Sequence, residues 1–434
     1  MSNRPLDIVA LLYSASMAIS RFSQDNLLLQ KACNSSVPFG DCAIGEANVQ
    51  HVVSKINSWK PIIFYATPIM MIVFAGPWSD SHGRRRRPLI FLPIIGQVLT
   101  DILCILNVYF WEWPPQIAAL CEALTPGLFG GYNMFWVGML SYISDNCPTE
   151  LRTLRYGIIN FLFNISRLIG TGLAGFLNVR LGFYGVFIVP IIINSTAVMI
   201  GLVFVKDTSQ PYDKNVVWLK PKRFIKNYFN VFKNKRSKYT ITVILLLLCQ
   251  SVLVGRMAGE NIITYLYIRY TFKWFEVEYG IFSAYKFVII SLGTYFAGTI
   301  MSINMKLNDA VIGSIACVFD IFVAFGYVFI NEPWQLLIVA SVDFFHGTAL
   351  SISTSLISKI VDVDELGRLN SIIRLCTALL SIFIVSLYSV TYNFTFEYVP
   401  GAVYMLDVIL TFPFLTVFLI IYYKCRHLWI INGK

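Results

Sequence analysis

Stretches of about twenty apolar residues recur along this chain with scarcely a charge inside them, and a backbone so patterned belongs in a lipid bilayer. Of the 434 residues, 56% are hydrophobic and only 13% charged, which leaves a soluble globule far more apolar surface than it can hide. The 34 Phe, 23 Tyr and 9 Trp suit helix contacts and the two headgroup levels. A net charge of +10 would fit a nucleic-acid partner, but Lys and Arg gather in short segments between apolar runs, as topology signals do, so none is expected.

The runs predict an all-α integral membrane protein with 12 transmembrane helices, near residues 6–28, 59–79, 88–110, 117–144, 156–178, 184–205, 240–268, 278–301, 310–330, 336–358, 369–390 and 403–423. The first run ends in Arg21, Ser23 and Asp25 with no small-residue cleavage site, so it reads as a membrane helix rather than a signal peptide. Six runs precede a polar stretch and six follow it. This predicts a six-helix bundle over residues 1–205, a basic linker over 206–239 and a second six-helix bundle over 240–434. Basic residues mark the cytoplasmic side, and their concentration in Arg84–Arg87, Arg152, Arg155 and the linker places both termini in the cytoplasm. Within the linker, Lys220, Lys222, Arg223 and Lys226 beside Trp218 and Phe224 read as a tether or as a basic amphipathic stretch on the inner leaflet.

Sequons at Asn34 and Asn393 fall in the first and last outer loops, where glycosylation reaches them, whereas Asn164 and Asn194 fall within spans. Cys33 and Cys42 share a polar loop and predict a disulfide if that loop is extracellular. His51, His82, His346 and His427 are scattered, no His or Cys pair has metal-ligand spacing, and no nucleophile motif stands out. No metal, cofactor or enzymatic activity is therefore expected.

Between the second and third predicted helices runs Gly76-Pro-Trp-Ser-Asp80-Ser-His-Gly83-Arg84-Arg85-Arg86-Arg87. It is similar to the G-x-x-x-D-x-x-G-R-R signature of the major facilitator superfamily. Gly83 permits a tight turn between helices, Asp80 suits the positive N-terminus of another helix, and Arg84 suits a carboxylate. The resemblance implies that those partners are the start of the eleventh helix and Asp145, closing a cytoplasmic gate. Further segments resemble solute carrier family 46, the group that contains the proton-coupled folate transporter. They are Trp78 to Arg85, Phe129-Gly-Gly, Arg152-Thr-Leu-Arg155, Ile262 to Tyr267 reaching Trp274, and Ser358 to Gly367, which carries Glu365. The resemblance implies a rocking, alternating-access carrier, driven by protons, with a central site between its halves. Anchored on Arg152 and Arg155, the folate transporter's coupling glutamate falls at Asn160, its helix-seven histidine at Arg256 and its helix-ten arginine at Thr354. These departures point away from folate itself.

A charge near mid-bilayer is expensive, so each one is a functional candidate. By resemblance, Asp101, Asp320 and Asp407 lie on helices outside the transport cavity. Arg167, Arg256, Lys286 and Arg374 lie on cavity-lining helices, with Arg21 as a further member, and with Asn160 and Thr354 they read as a site for an anionic solute. Arg167 also precedes the close-packing run Gly170, Gly172 and Gly175, which offers it a structural role. Glu122, Glu260, Asp343 and His346 are the candidates for proton coupling. Glu260 stands one turn after Arg256 and is expected to pair with it, and Asp343 and His346, three apart, suggest a relay. Tyr132, Trp136, Phe163 and Tyr265 are candidates for stacking on a planar solute.

The expected function is secondary active transport of a small, anionic organic solute by alternating access, coupled to protons. The alternatives are a folate symporter proper and a solute-sensing receptor on the same scaffold. Expected partners are the solute, protons and the lipid bilayer, with the chain a monomer or a loose homo-oligomer in the plasma membrane, an endolysosomal membrane being the alternative.

Overall fold

A computed structural model describes residues 4–33, 45–81, 85–147, 149–207, 237–360 and 363–431, and every regular element among them is helical. Nine helices among the described residues are long and apolar enough to cross a bilayer. The chain divides into two compact units, residues 1–219 with 274–284 and residues 220–273 with 285–434. Asn34, Cys42, Gly83, Arg84 and linker residues 208–236 lie outside the described residues, as do the side chains of Asp80, Arg152, Asn160 and Glu365. Cys33 is disulfide-bonded.

The first unit holds α1 (Arg4–Cys33), α2 (Glu46–Ser81), which includes Gly76, α3 (Arg87–Tyr109), α4 (Pro115–Leu128), α5 (Gly131–Asn146) and α6 (Thr149–Phe204). Pro88 presets the first turn of α3, and the Asp207 carboxylate accepts the backbone N–H groups of Arg86 and Arg87 at 2.9 and 3.0 Å. One helix expected over 117–144 is instead two, because Gly130 and Gly131 adopt φ of 86° and 54° and interrupt the hydrogen-bond ladder between α4 and α5. The spans expected over 156–178 and 184–205 meet within α6 at Gly182, whose φ of 65° turns the chain between them. Buried Tyr13, Phe135 and Phe163 pack at the core, with the first two ring centroids 4.3 Å apart.

At the other end of α3, Lys31 is 2% exposed, and its Nζ donates to the carbonyl oxygens of Phe110, Trp111 and Trp113 at 3.4, 3.3 and 2.8 Å. The ammonium sits where orphan carbonyls and the negative end of the helix dipole collect. Lys31→Met removes this donor from the Trp111 and Trp113 carbonyls, the Phe110 carbonyl keeping the Trp113 N–H, and should cost about 1–3 kcal/mol. The purified variant should melt several degrees lower, and an unchanged midpoint would show that the contacts contribute nothing.

The second unit holds α7 (Ser237–Phe272), most of α8 (Glu276–Phe296), whose last turns continue as a π-helix (Ala297–Asn304), then α9 (Asp309–Phe329), α10 (Pro333–Val342), α11 (Thr348–Ile360), α12 (Val363–Thr395) and α13 (Met405–Ile431). Asn308 caps α9 by accepting the N–H of Ala310 at 2.9 Å. The single helix expected over 336–358 is broken. A 3-10 turn (Asp343–Phe345) and Gly347 at φ 76° separate α10 from α11, and both Asp343 and His346 lie in the interruption. Asn393, expected in an outer loop, lies in the last turn of α12, because that helix runs further than its apolar run suggested.

Candidate functional site

The densest charge in the second unit gathers around the break between α10 and α11. From α7, Arg256 donates through Nη2 to Asp320 Oδ2 of α9 at 2.8 Å, and its Nη1 stands 3.5 Å from Asp407 Oδ1 of α13. The hydroxyl of Tyr388 on α12 donates to the same Asp407 oxygen. One turn along α7, Glu260 receives Lys286 Nζ of α8 at 2.7 Å, and that ammonium is 3.1 Å from Asp343 Oδ2. His346 completes the group, with Nδ1 3.2 Å from Asp343 Oδ1 and Nε2 4.0 Å from Glu260 Oε2. A cavity of about 10 Å³, room for roughly one water, touches Arg256, Asp320 and Asp407 as well as Glu260, Asp343 and His346, so the two groups form one site.

This arrangement corrects the expectation that Glu260 pairs with Arg256. Arg256 pairs with Asp320 and Asp407, and Glu260 pairs with Lys286. A buried guanidinium is best stabilised by carboxylates that converge from several helices, and two such groups are closer than the one on its own helix. Arg256 and Lys286 therefore have partners within their own unit, and neither head is spare for a solute in this conformation. Asp320 and Asp407, set aside by the family resemblance, are the groups that hold Arg256. Elsewhere in the unit Arg374 is exposed, as is Thr354, whose Oγ1 accepts Gln250 Nε2 at 3.0 Å.

The interrupted helix explains how so many polar groups reach one place. Unwinding at residues 343–347 turns Asp343 and His346 toward α7 and α8, in the manner of discontinuous membrane helices that build ion sites. Glu260, Asp343 and His346 present ligand atoms within 4.8 Å of one another, a spacing that suits a metal ion. The Lys286 ammonium already lies against both carboxylates, so a dication would have to displace it.

In the first unit Glu122 of α4 forms an ion pair with Lys60 of α2, which lies 3.9 Å from Asp25 of α1. Lys60 was not among the sequence candidates, because it stands at the edge of an apolar run where basic residues usually mark topology. Arg21 is exposed, with its guanidinium 4.8 Å from the centre of the Phe64 ring, and Arg167 is exposed on α6. Tyr132 and Trp136 stack with centroids 6.2 Å apart, and Trp136 meets Phe163 edge-on at 4.8 Å, so these rings are spent largely on one another. At the end of α5, Asp145 Oδ2 takes Arg86 Nε at 2.8 Å. Arg84, the partner that the resemblance implies for Asp145, lies outside the described residues. Nearby, Arg155 grips Asp7 with two bonds of 2.8 and 3.1 Å.

Comparison with known proteins agrees with this architecture. Residues 50–386 match the model of the Major Facilitator Superfamily. The lysosomal proton-coupled steroid conjugate and bile acid symporter SLC46A3 of Gallus gallus is 26% identical over 382 residues, covering 84% of this chain and 81% of that protein. The probable peptidoglycan muropeptide transporter SLC46 of Drosophila melanogaster is 18% identical, covering 82% and 70%. A crystal structure of a bacterial homologue of the iron transporter ferroportin shares the fold at a TM-score of 0.68, with 12% identity over 96% of this chain and 99% of that one. These relatives are transporters rather than enzymes, and the chain is a multi-pass membrane protein that belongs to the Major Facilitator Superfamily and, within it, to solute carrier family 46.

Proposed function

We propose that this chain is a proton-coupled, alternating-access carrier of an organic anion in an endolysosomal membrane. The observation that carries the reading is the charge balance of the buried site in the second unit. Glu260, Asp320, Asp343 and Asp407 supply four carboxylates against two fixed cations, Arg256 and Lys286, and one imidazole. Buried charges persist only when compensated. With His346 neutral the group lacks two positive charges, and two protons supply them, one on His346 and one on a carboxylate. A site balanced only when it holds protons, at the break of a membrane helix, is suited to coupling.

The anionic preference rests on Arg21 and Arg167. Both are exposed within apolar helices, and a guanidinium there faces water rather than acyl chains, because lipid exposure is so costly. Relatives named for steroid conjugates, bile acids and muropeptides suggest the solutes to try. The lysosomal names of the vertebrate relatives favour an endolysosomal membrane over the plasma membrane.

Reconstituted protein offered a steroid conjugate, a bile acid and a muropeptide should take up at least one of them saturably. Arg21→Gln and Arg167→Gln should each raise its KM about 10- to 100-fold, the equivalent of one charged hydrogen bond of about 1.5–3 kcal/mol. Unaltered KM in both variants would remove the anion site from the first unit.

A further inference from the structure

Asp101 on α3 stands apart from every charged group used above. It is 0% exposed. Its Oδ1 accepts the hydroxyl of Ser20 from α1 and Nε2 of Gln97 at 3.1 Å. The Ser20 oxygen in turn accepts Nε2 of Gln97 at 2.9 Å and Nε2 of Gln24 at 3.0 Å, which commits its own proton to Asp101. Oδ2 is buried and has no hydrogen-bond partner.

No Lys, Arg or His lies within ion-pair distance of Asp101 among the described residues. Lys60 is held by Glu122, and Arg21 lies over Phe64. The titratable groups that interact electrostatically with Asp101 are the phenol of Tyr13 on α1 and the thiol of Cys104 on α3, neither of which supplies positive charge. On α4, Glu122 with its partner Lys60 lies beyond Cys104. Residues 181–205, the half of α6 after its turn, contain no charged residue at all. An ionised carboxylate with one bare oxygen and no counter-ion is among the least tolerable groups a membrane interior can hold. A proton on Oδ2 cancels the charge and leaves only one unpaired hydroxyl.

We propose that Asp101 is a proton-binding site of the first unit, distinct from the charge cluster of the second, and that it joins α1 to α3 as a neutral carboxylic acid. Ser20 and Gln24 flank Arg21 on α1, so the bound proton fixes the helix that carries an exposed guanidinium. The site stands whether or not the carrier reading holds, because it rests only on contacts within the first unit.

Infrared spectra of the full chain in lipid nanodiscs at neutral pH test it. The wild type should show the carbonyl absorption of a buried neutral carboxyl group, which Asp101→Asn loses and Glu260→Gln keeps. Ser20→Ala removes the donor to Oδ1 and should move the same absorption, which reads the site even if the Asn variant folds poorly. Exchanging sodium for a bulky organic cation at fixed pH should leave the melting midpoint unchanged. The proposal is overturned if neither substitution alters the neutral-carboxyl absorption. A sodium-dependent rise in midpoint that Asp101→Asn abolishes would also overturn it, since Oδ2 would then face a sodium ion.

Discussion

Arg256→Met should destabilise the protein by about 3–5 kcal/mol, the usual consequence of removing one partner from a buried ion pair. The guanidinium is 3% exposed and holds Asp320 at 2.8 Å and Asp407 at 3.5 Å, so its loss strands two carboxylates among α7, α9 and α13. The expected outcome is a collapse in folded yield, with the surviving fraction melting far below the wild type. The same argument predicts recovery. In the triple variant with Asp320→Asn and Asp407→Asn no carboxylate is left facing the lost guanidinium, and replacement of a whole buried ion group is close to neutral. Size-exclusion profiles and melting midpoints of the three proteins check this. A stable single variant, or a triple variant no better than the single, would show that the ion group is not what holds these helices together.

The second large effect concerns coupling. Glu260 is the carboxylate shared by Lys286 and His346, at 2.7 and 4.0 Å, so Glu260→Gln removes one negative charge from a group that carries an excess of them. In the wild type, falling pH on the loading side supplies the missing positive charge and should stimulate uptake. The groups that face this site from every neighbouring helix are Arg256, Lys286, Asp320, Asp343, His346, Tyr327, Tyr388, Tyr404 and Asp407. With one carboxylate fewer, the variant needs one proton fewer, so its pH profile should be shallower. Its proton-driven accumulation should drop by about 5- to 150-fold, the range of an ordinary coupling energy. Exchange of labelled for unlabelled solute, which needs no net proton movement, should survive. A pH profile that overlays the wild type would exclude Glu260 from coupling.

The chain exposes its membrane spans plainly, because twenty uncharged residues admit few other readings. The helix interruptions were harder to read. Gly130-Gly131 and Gly347 sit inside apolar runs, and glycine is common in membrane helices for packing reasons as well as for breaks, so hydropathy passes over both. Partner choice was harder still. Arg256 to Glu260 is visible as a one-turn spacing, whereas Arg256 to Asp320 and Lys60 to Glu122 join residues 64 and 62 apart on different helices, a pairing only tertiary packing determines. The cost of intramembrane charge had marked Asp320 and Asp407 as candidates from the outset, and the assumption that their helices stand outside the cavity demoted them. Similarly, the resemblance pointed to Arg84 alone in a run of four arginines, and nothing in the local sequence marked Arg86 as a further residue that reaches Asp145.

The most direct test of the account is an uptake experiment in proteoliposomes that hold an imposed proton gradient and no other. Accumulation of an organic anion above its equilibrium level, saturable and abolished by a protonophore, is the predicted result. Uptake that neither saturates nor responds to the gradient would contradict it.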